Sequence, residues 1–337
     1  MTRTTLKDVA AKVGVSYQTV SKVLNGQAQV APDTEERIWQ VVQEMDYRPN
    51  VSARNLRTQA INLLGCAWAQ TLQGAWRPVL NRFLHSVIDA AEREGYLTAF
   101  FAGPGGQVGT QSYADLYLQR QVAGFILADT LPDDPRISFL IDNQIPFAAF
   151  GQANSDWDFC WVDVDGYDGI RQIMHHVHER GHCKVGFITW DDYSKTGMYR
   201  ENGYCDGLEA IGQGFDPNWI FRGNDSALTG QKGLTALMSL PPARRPTAIV
   251  CVSDHIAIGA VNAALAHGLQ VGKDIAITGY DDVSISRYLY PPLTTVSQPI
   301  GEVGGLVIDL LLRQIHDKPL TQKTYLLKPE LVVRESS

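Results

Sequence analysis

The chain has 337 residues, 45% of them apolar and 19% charged; this is ordinary globular material, longer than one hydrophobic core usually fills, so two or three packing units are expected. No run approaches the roughly 18 uninterrupted apolar residues of a membrane span, and the opening residues turn polar at once with no secretory core, so a membrane protein is excluded and a cytoplasmic one expected. The net charge of −7 is unevenly divided: residues 1–58 hold eight Lys and Arg against six Asp and Glu, for +2, while the remainder holds 21 against 30, for −9, so basic charge gathers in one segment able to meet phosphates.

Leu6, Val9, Ala10 and Val13 fall at helical spacing, with Thr5 and Asp8 as a capping pair. Gly14 breaks the run. Ser16 then caps a second helix, stapled by Val15 and Val20 and continued by Val23 and Leu24. Two short helices joined by a tight Gly turn make a helix-turn-helix. The second one opens with Tyr17, Gln18 and Thr19, and Ser21 and Lys22 follow on its next turn; such a recognition helix offers its first residues to base edges in the major groove. Gln18 suits adenine and Lys22 suits guanine. Ser16, Thr19, Ser21 and Asn25 suit phosphates, and Thr5 and Leu6 complete the candidate DNA-contacting set of this region. The plain alternative is a polar helical face with no partner. A third helix over 32–45 carries Asp33, Glu35 and Glu36 in its first turn and buries Ile38, Val41, Val42 and Met45, completing a three-helix core.

No acidic residue occurs between Tyr47 and Ile88, and Arg48, Arg54 and Arg57 cluster at the start of that window. Asn50 can cap a helix of about two turns whose apolar residues are Val51, Ala53 and Leu56; a helix so short needs outside support. An apolar side chain between arginines, here Leu56 beside Arg54, suits a wedge in the minor groove, although a plain linker would read the same way.

Beyond residue 60 short apolar runs at 61–69, 97–102, 122–128, 145–150, 184–189, 248–252 and 275–279 alternate with helical patterns such as 83–94 and 167–179. This alternation predicts parallel sheets covered on both faces, an α/β fold. Ligands of such sheets bind outside the carboxyl ends of the strands, where the candidates are Asp129, Gly151 and Gln152, Trp190 and Asp191, Ser253 and Asp254, and Tyr280 and Asp281. Capping and hinge structure are the bland role of Asp254 and Asp281, and for Asp254 that role is preferred to ligand contact. Of the tryptophans near these loops, Trp76, Trp157, Trp161 and Trp190, each taken alone is more often core; Trp76 and Trp190 are the pair preferred for stacking on a ligand. Five scattered cysteines predict buried reduced thiols. Residues 103–106, Gly-Pro-Gly-Gly, lack the ending of a phosphate loop and read as a turn. His175, His176, His178 and His182 point to different sides of a helix with no completing ligand, so no metal and no cofactor is expected. No nucleophile has a convincing base, and an enzyme is not expected.

Residues 6–26, LKDVAAKVGVSYQTVSKVLNG, followed by Tyr47-Arg-Pro-Asn50 and Ala53 to Leu56, closely resemble the lactose-repressor/galactose-repressor (LacI/GalR) family. Four later stretches share its patterns: Arg200 to Leu208, Ser253 to Gly259, Asp274 to Asp282 and Pro291 to Gln298, the last two almost residue by residue. The resemblance runs from Leu6 to about Val333. It implies a helix-turn-helix DNA-binding domain over 1–48, a hinge helix and linker over 49–60, and a two-lobed, type I periplasmic-binding-protein-like domain over 61–337. The first lobe would span about 61–162 and 294–323 and the second about 163–291 and 324–334, with chain crossings near 160–163, 290–294 and 322–325. It also implies that Asn50, Ala53, Arg54 and Leu56 act in a hinge helix paired with that of a second subunit, and that Arg200 and Gln298 join Asp129, Trp190, Ser253 and Asp281 at an effector pocket. Asp281 with Arg200 is a pair able to bond vicinal hydroxyls, which is sugar chemistry. Lys22 stands where the lactose-type member has Arg and lacks its rigid fork; the loop over 70–77 is longer than usual for the family, and Gln152 stands where many sugar-responsive members have Arg. The expected function is a repressor that binds a palindromic operator as a homodimer under control of a small effector, favoured to be a sugar. A purine or other metabolite is the alternative, and a solute-binding protein a remoter one, since that needs a signal peptide and has no use for a helix-turn-helix. No apolar heptads follow the last strand, so a coiled-coil tetramer is not expected.

Overall fold

The computed structural model describes residues 4–24, 30–47, 61–67, 77–102, 109–191 and 194–337. The chain divides into two compact units, 1–61 and 62–337.

The first unit is built from α1 (Leu6–Val13), α2 (Tyr17–Leu24) and α3 (Pro32–Glu44). A full capping box starts α1: Asp8 N donates to Thr5 Oγ1 at 3.4 Å and Thr5 N donates to Asp8 Oδ2 at 2.7 Å. Gly14 ends it at φ 81°, a left-handed conformation that glycine adopts without strain. Ser16 Oγ accepts from Thr19 N at 3.0 Å and so caps α2, as its position predicts. The core is small: Val9, Ala10, Val13, Val20, Val23, Ile38 and Val42 are buried together, with Val41 and Met45 only half-buried at its edge. Arg37 donates to the Val13 carbonyl at 3.0 Å and Lys12 pairs with Glu44 at 2.7 Å, tying α3 to α1.

In the second unit all seven strand expectations hold, six of them shortened and the fifth shifted by one residue: β1 (Leu63–Ala67), β2 (Leu97–Phe101), β3 (Gly124–Leu127), β4 (Phe147–Phe150), β6 (Val185–Trp190), β8 (Ala248–Cys251) and β9 (Ala276–Thr278). Five further strands carry no long apolar run: β5 (Cys160–Val164), β7 (Ile220–Gly223), β10 (Thr295–Ser297), β11 (Thr324–Leu327) and β12 (Glu330–Val332). Six strands form one parallel sheet in the order β11-β5-β4-β3-β1-β2, four form a second in the order β7-β6-β8-β9, and β10 pairs with β12 antiparallel. Two lobes follow.

In the first lobe, α4 (Pro78–Arg93) and α11 (Ile300–Ile315) cover one sheet face through Phe83, Val87, Val303 and Val307. The short helices α5 (Thr110–Leu118) and α6 (Pro135–Asp142) contribute Tyr113, Ile137 and Leu140 to a separate core with Phe125 and Phe147. The second lobe has one large core fed by α7 (Gly166–Glu179), α8 (Lys195–Ala210), α9 (Ala227–Met238) and α10 (Asp254–Ala266). Close approach of α9 and α10 depends on glycine: a Cβ on Gly259 would lie 1.7 Å from the Ala227 carbonyl oxygen, and one on Gly230 1.8 Å from that of Ile256.

The lobe boundaries shift from those expected. Thr324 pairs with Trp161 and Leu327 with Val164, so 324–327 belongs to the first lobe instead of the second. Leu293 and Val296 lie in the second lobe's core, which puts the second crossing between Ser297 and Ile300. Both segments are short strands, and β11 alternates exposed with half-buried residues as an edge strand does, so neither shows the apolar run that marks the other strands. Among the described residues no helix is long and apolar enough to cross a membrane.

Candidate functional sites

On the first unit, α2 turns Val20 and Val23 inward and presents Tyr17, Gln18 and Lys22 to solvent; Tyr17, a large aromatic residue, is 48% exposed. Thr19 and Ser21 are half-buried on its flanks. Ser16 and Thr5 are exposed but their hydroxyls already serve the helix starts: Ser16 Oγ also meets Thr19 Oγ1 at 2.8 Å, and Thr5 Oγ1 donates to Asp8 Oδ2 at 2.7 Å. Leu6 is half-buried against the three-helix core. The arrangement is a polar, solvent-facing helix end on an apolar base, with no negative side chain on α2. Asn25, Asn50, Ala53, Arg54 and Leu56 lie outside the described residues, as does the whole expected hinge helix.

On the second unit, the carboxyl ends of β6, β8 and β9 bring several expected residues together. Arg200, from α8, is buried; its guanidinium donates to the Val252 carbonyl at 2.6 Å, stands 3.6 Å from Asp281 Oδ1 and stacks 3.7 Å from the centre of the Tyr280 ring, with Trp190 at 5.2 Å on another side. Gln298 donates to the same Asp281 oxygen at 2.6 Å. Arg200, Asp281, Gln298 and Trp190 thus form one cluster. Burial pushes the Asp281 carboxyl up to about 8 against the pull of Arg200. The Asp281 backbone takes φ 115°, and its carbonyl accepts from Arg82 of the first lobe at 2.5 Å, so this residue joins the two lobes. Arg200 Nε and the Tyr280 hydroxyl are buried with no hydrogen-bond partner.

Ser253 does not present a free hydroxyl. It caps α10, accepting from Ile256 N at 3.3 Å, and donates to Asp225 at 2.5 Å. Asp254 takes a structural role, though as a tie between segments and not as a helix cap: fully buried, it accepts from Val283 N at 2.8 Å, Ser286 Oγ at 2.6 Å and Thr295 Oγ1 at 2.5 Å, and burial raises it to about 6. Asp129 sits at φ 53° with its carboxylate paired to Arg77, apart from the Arg200 cluster's bonds. Trp157 and Trp161 pack on the first lobe's core, the bland role. Trp76 lies outside the described residues, as do residues 103–106. His175 is exposed and faces Glu179 at 3.4 Å, while His176 meets Ser337 at 2.9 Å.

Sequence reasoning missed three residues of this region. Asp163 is buried, burial raises its carboxyl, and it accepts from Gln152 at 3.1 Å; Tyr199 in turn donates to Gln152 at 3.2 Å. Asp225 accepts from Ser253. Asp163 lies inside β5 and Asp225 two residues past β7, both of them strands the apolar pattern did not reveal, so the carboxyl-end rule was never applied to them.

The family model described as bacterial regulatory proteins, lacI family, matches residues 5–50, and that of a periplasmic binding protein-like domain matches residues 174–337. The HTH-type transcriptional repressor PurR of Erwinia tasmaniensis is 30% identical over 337 residues, covering 98% of this chain and 96% of that one. The complex of the transcriptional regulator CelR with cellobiose is similar at 27% identity and a TM-score of 0.75, over 99% of this chain and 100% of that one. The lac repressor dimer bound to operator and the anti-inducer ONPF is similar at 26% identity and a TM-score of 0.83, over 99% of each chain.

Proposed function

Because the chain belongs to the lacI family of bacterial regulatory proteins, we propose that it is a cytoplasmic repressor that grips a palindromic operator as a homodimer and releases or tightens that grip when a sugar enters the cleft of its second unit. One observation carries the reading: the N-terminal end of α2 offers Tyr17, Gln18 and Lys22 to solvent while its other face completes a capped three-helix core. A single reader covers one half-site, so two copies are needed for a palindrome. Residues 1–48 act as the reader and 49–60 as the hinge, with Asn50, Ala53, Arg54 and Leu56 toward the minor groove. Ser16, Thr19, Ser21, Asn25, Thr5 and Leu6 serve the backbone and its approach.

The sugar assignment rests on Asp281, Arg200 and Gln298, a buried acceptor flanked by planar donors beside Trp190. Such a set bonds adjacent hydroxyls and stacks a ring face. Ligand held between the lobes changes their relative rotation, which the partner subunit converts into approach or separation of the hinge helices. By linkage, operator changes ligand affinity by the same factor as ligand changes operator affinity. No catalytic role is assigned to any residue.

The decisive measurement is fluorescence anisotropy of labelled duplexes at low ionic strength, with and without a panel of sugars. Binding that falls steeply with salt and shifts with one sugar is expected. A variant lacking residues 1–58 should lose operator binding and keep sugar binding. A chain that ignores all duplexes under these conditions refutes the proposal.

A further inference from the structure

The charge around the Arg200 cluster narrows the class of sugar. Each guanidinium of the region already serves an oxygen of the protein: Arg200 the Val252 carbonyl and Asp281, Arg82 the backbone of Asp281 and Asp282, and Arg77 Asp129. The carboxylates are less fully occupied. Asp225 is held on two sides, by Ser253 Oγ at 2.5 Å on one oxygen and by His255 Nδ1 at 3.9 Å from the other. Its side chain nevertheless remains 43% exposed, against 11% for Asp281. Partial burial raises its carboxyl, but the bonds from His255 and Ser253 outweigh that and keep it below the ordinary value, hence ionised. A carboxylate fixed by the protein yet open to solvent is an acceptor ready for hydroxyl or ammonium donors. It repels a phosphate or a second carboxylate, while the Arg200 guanidinium is already drawn toward the Val252 carbonyl and Asp281. Arg200 Nε and the Tyr280 hydroxyl, two of the described polar atoms buried without hydrogen-bond partners, lie in this same cluster, where a polyhydroxylated ligand can satisfy them.

We infer that the cleft admits non-anionic sugars, neutral or amino-substituted, and excludes their phosphorylated and acid forms, with Asp225 as the residue that sets the preference. This rests on the carbohydrate reading above. It also transfers the expected role of Ser253 from ligand contact to positioning: its hydroxyl orients Asp225.

The test is calorimetric titration of the full chain with neutral mono- and disaccharides, each matched by its 2-amino, 6-phosphate and uronic acid counterpart, in wild type and in Asp225→Asn. The amide keeps an oxygen to accept from Ser253, and its melting curve should match wild type; Asp225→Ser is the second variant should the first misfold. For any sugar that binds, the anionic counterpart should bind at least about tenfold more weakly, a difference that like-charge repulsion readily supplies. Asp225→Asn should shrink that gap and cost the amino form most. Anionic forms that bind as tightly as neutral ones, or a gap indifferent to Asp225→Asn, overturn the inference and leave the carbohydrate reading standing. Silence of every sugar from a chain that still binds operator overturns both.

Discussion

The two units solve the problem of stability differently. Among the described residues the reader rests on seven buried side chains, none larger than isoleucine, and on polar caps at its helix starts. The control unit has three cores and embeds charged and polar groups in them, among them Asp254, Asp281, Arg200 and Asp163. A domain as small as the reader buries a modest fraction of its surface and stands near the limit of independent folding. Its chemistry is therefore kept on the outside, where it costs little stability. The larger unit has surplus burial and can hold desolvated carboxylates where a ligand needs them. Function sits on the skin of one and in the interior of the other.

That contrast can be broken most forcefully at Asp254. Asp254→Ala leaves the Val283 N–H and the Ser286 and Thr295 hydroxyls buried without their acceptor, which should cost about 3–5 kcal/mol. Thermal melting should show the control unit's transition moving down while the reader's stays. Ile38→Ala strikes the other side. Ile38 is fully buried, and the substitution should cost about 2–5 kcal/mol, enough to unfold a unit so small. Operator binding should vanish while sugar titration of the same sample is unchanged; coupled loss of both would mean the units are not independent.

Gln18→Ala tests the claim that reader function is external. The residue is exposed, so melting should not move, while operator affinity falls by about 1–3 kcal/mol, with relaxed preference at one base pair. Selection of bound duplexes from a randomised pool reads that change. A pH comparison sharpens the contrast further. Asp281 is raised to about 8 by burial, so its folded form holds a proton that the unfolded chain gives up near pH 4. Stability from this group is complete below that lower value and is lost as pH climbs through the higher one. Because His176 and His182 are lowered by burial and act the opposite way at lower pH, the window is pH 7 to 8.5. Over it the control unit should melt progressively lower, and Asp281→Asn should flatten the slope. In the reader, Asp8 is lowered by its bonds to Thr5, so that unit instead loses stability in acid. Smallest of all, Thr5→Ala removes the cap of α1 and should cost about 1 kcal/mol, visible as a few degrees in the reader's melt alone.

The caps, the glycine turn and the inward face of α2 were legible because each is a local device with a fixed residue spacing. The same holds for strands buried on both faces, where an unbroken apolar run is the signal. What escaped were strands that depart from that rule. β5 carries Asp163 within it, β11 alternates as an edge, and β7 and β10 mix polar residues such as Arg222, Thr295 and Ser297 with their few apolar ones. The site inherited these gaps. Arg200, Asp281 and Gln298 were found through shared motifs and meet as expected, whereas Asp225 and Asp163 depend on strands the pattern did not reveal. Ser253 shows another limit: a residue at the right strand end can be occupied in holding its neighbour, and only coordinates reveal which of the two faces outward.

The first lobe is completed by segments that come after the whole of the second: α11 fills its core and β11 closes its sheet edge. During synthesis, domains fold from the N-terminus as their residues emerge. Among the described residues the reader's helices and core end at Tyr47, while the first lobe must wait until residue 327 leaves the ribosome. Each newly made molecule therefore has a DNA-recognising head before it owns a finished ligand sensor, and translation pauses late in the message would lengthen that interval.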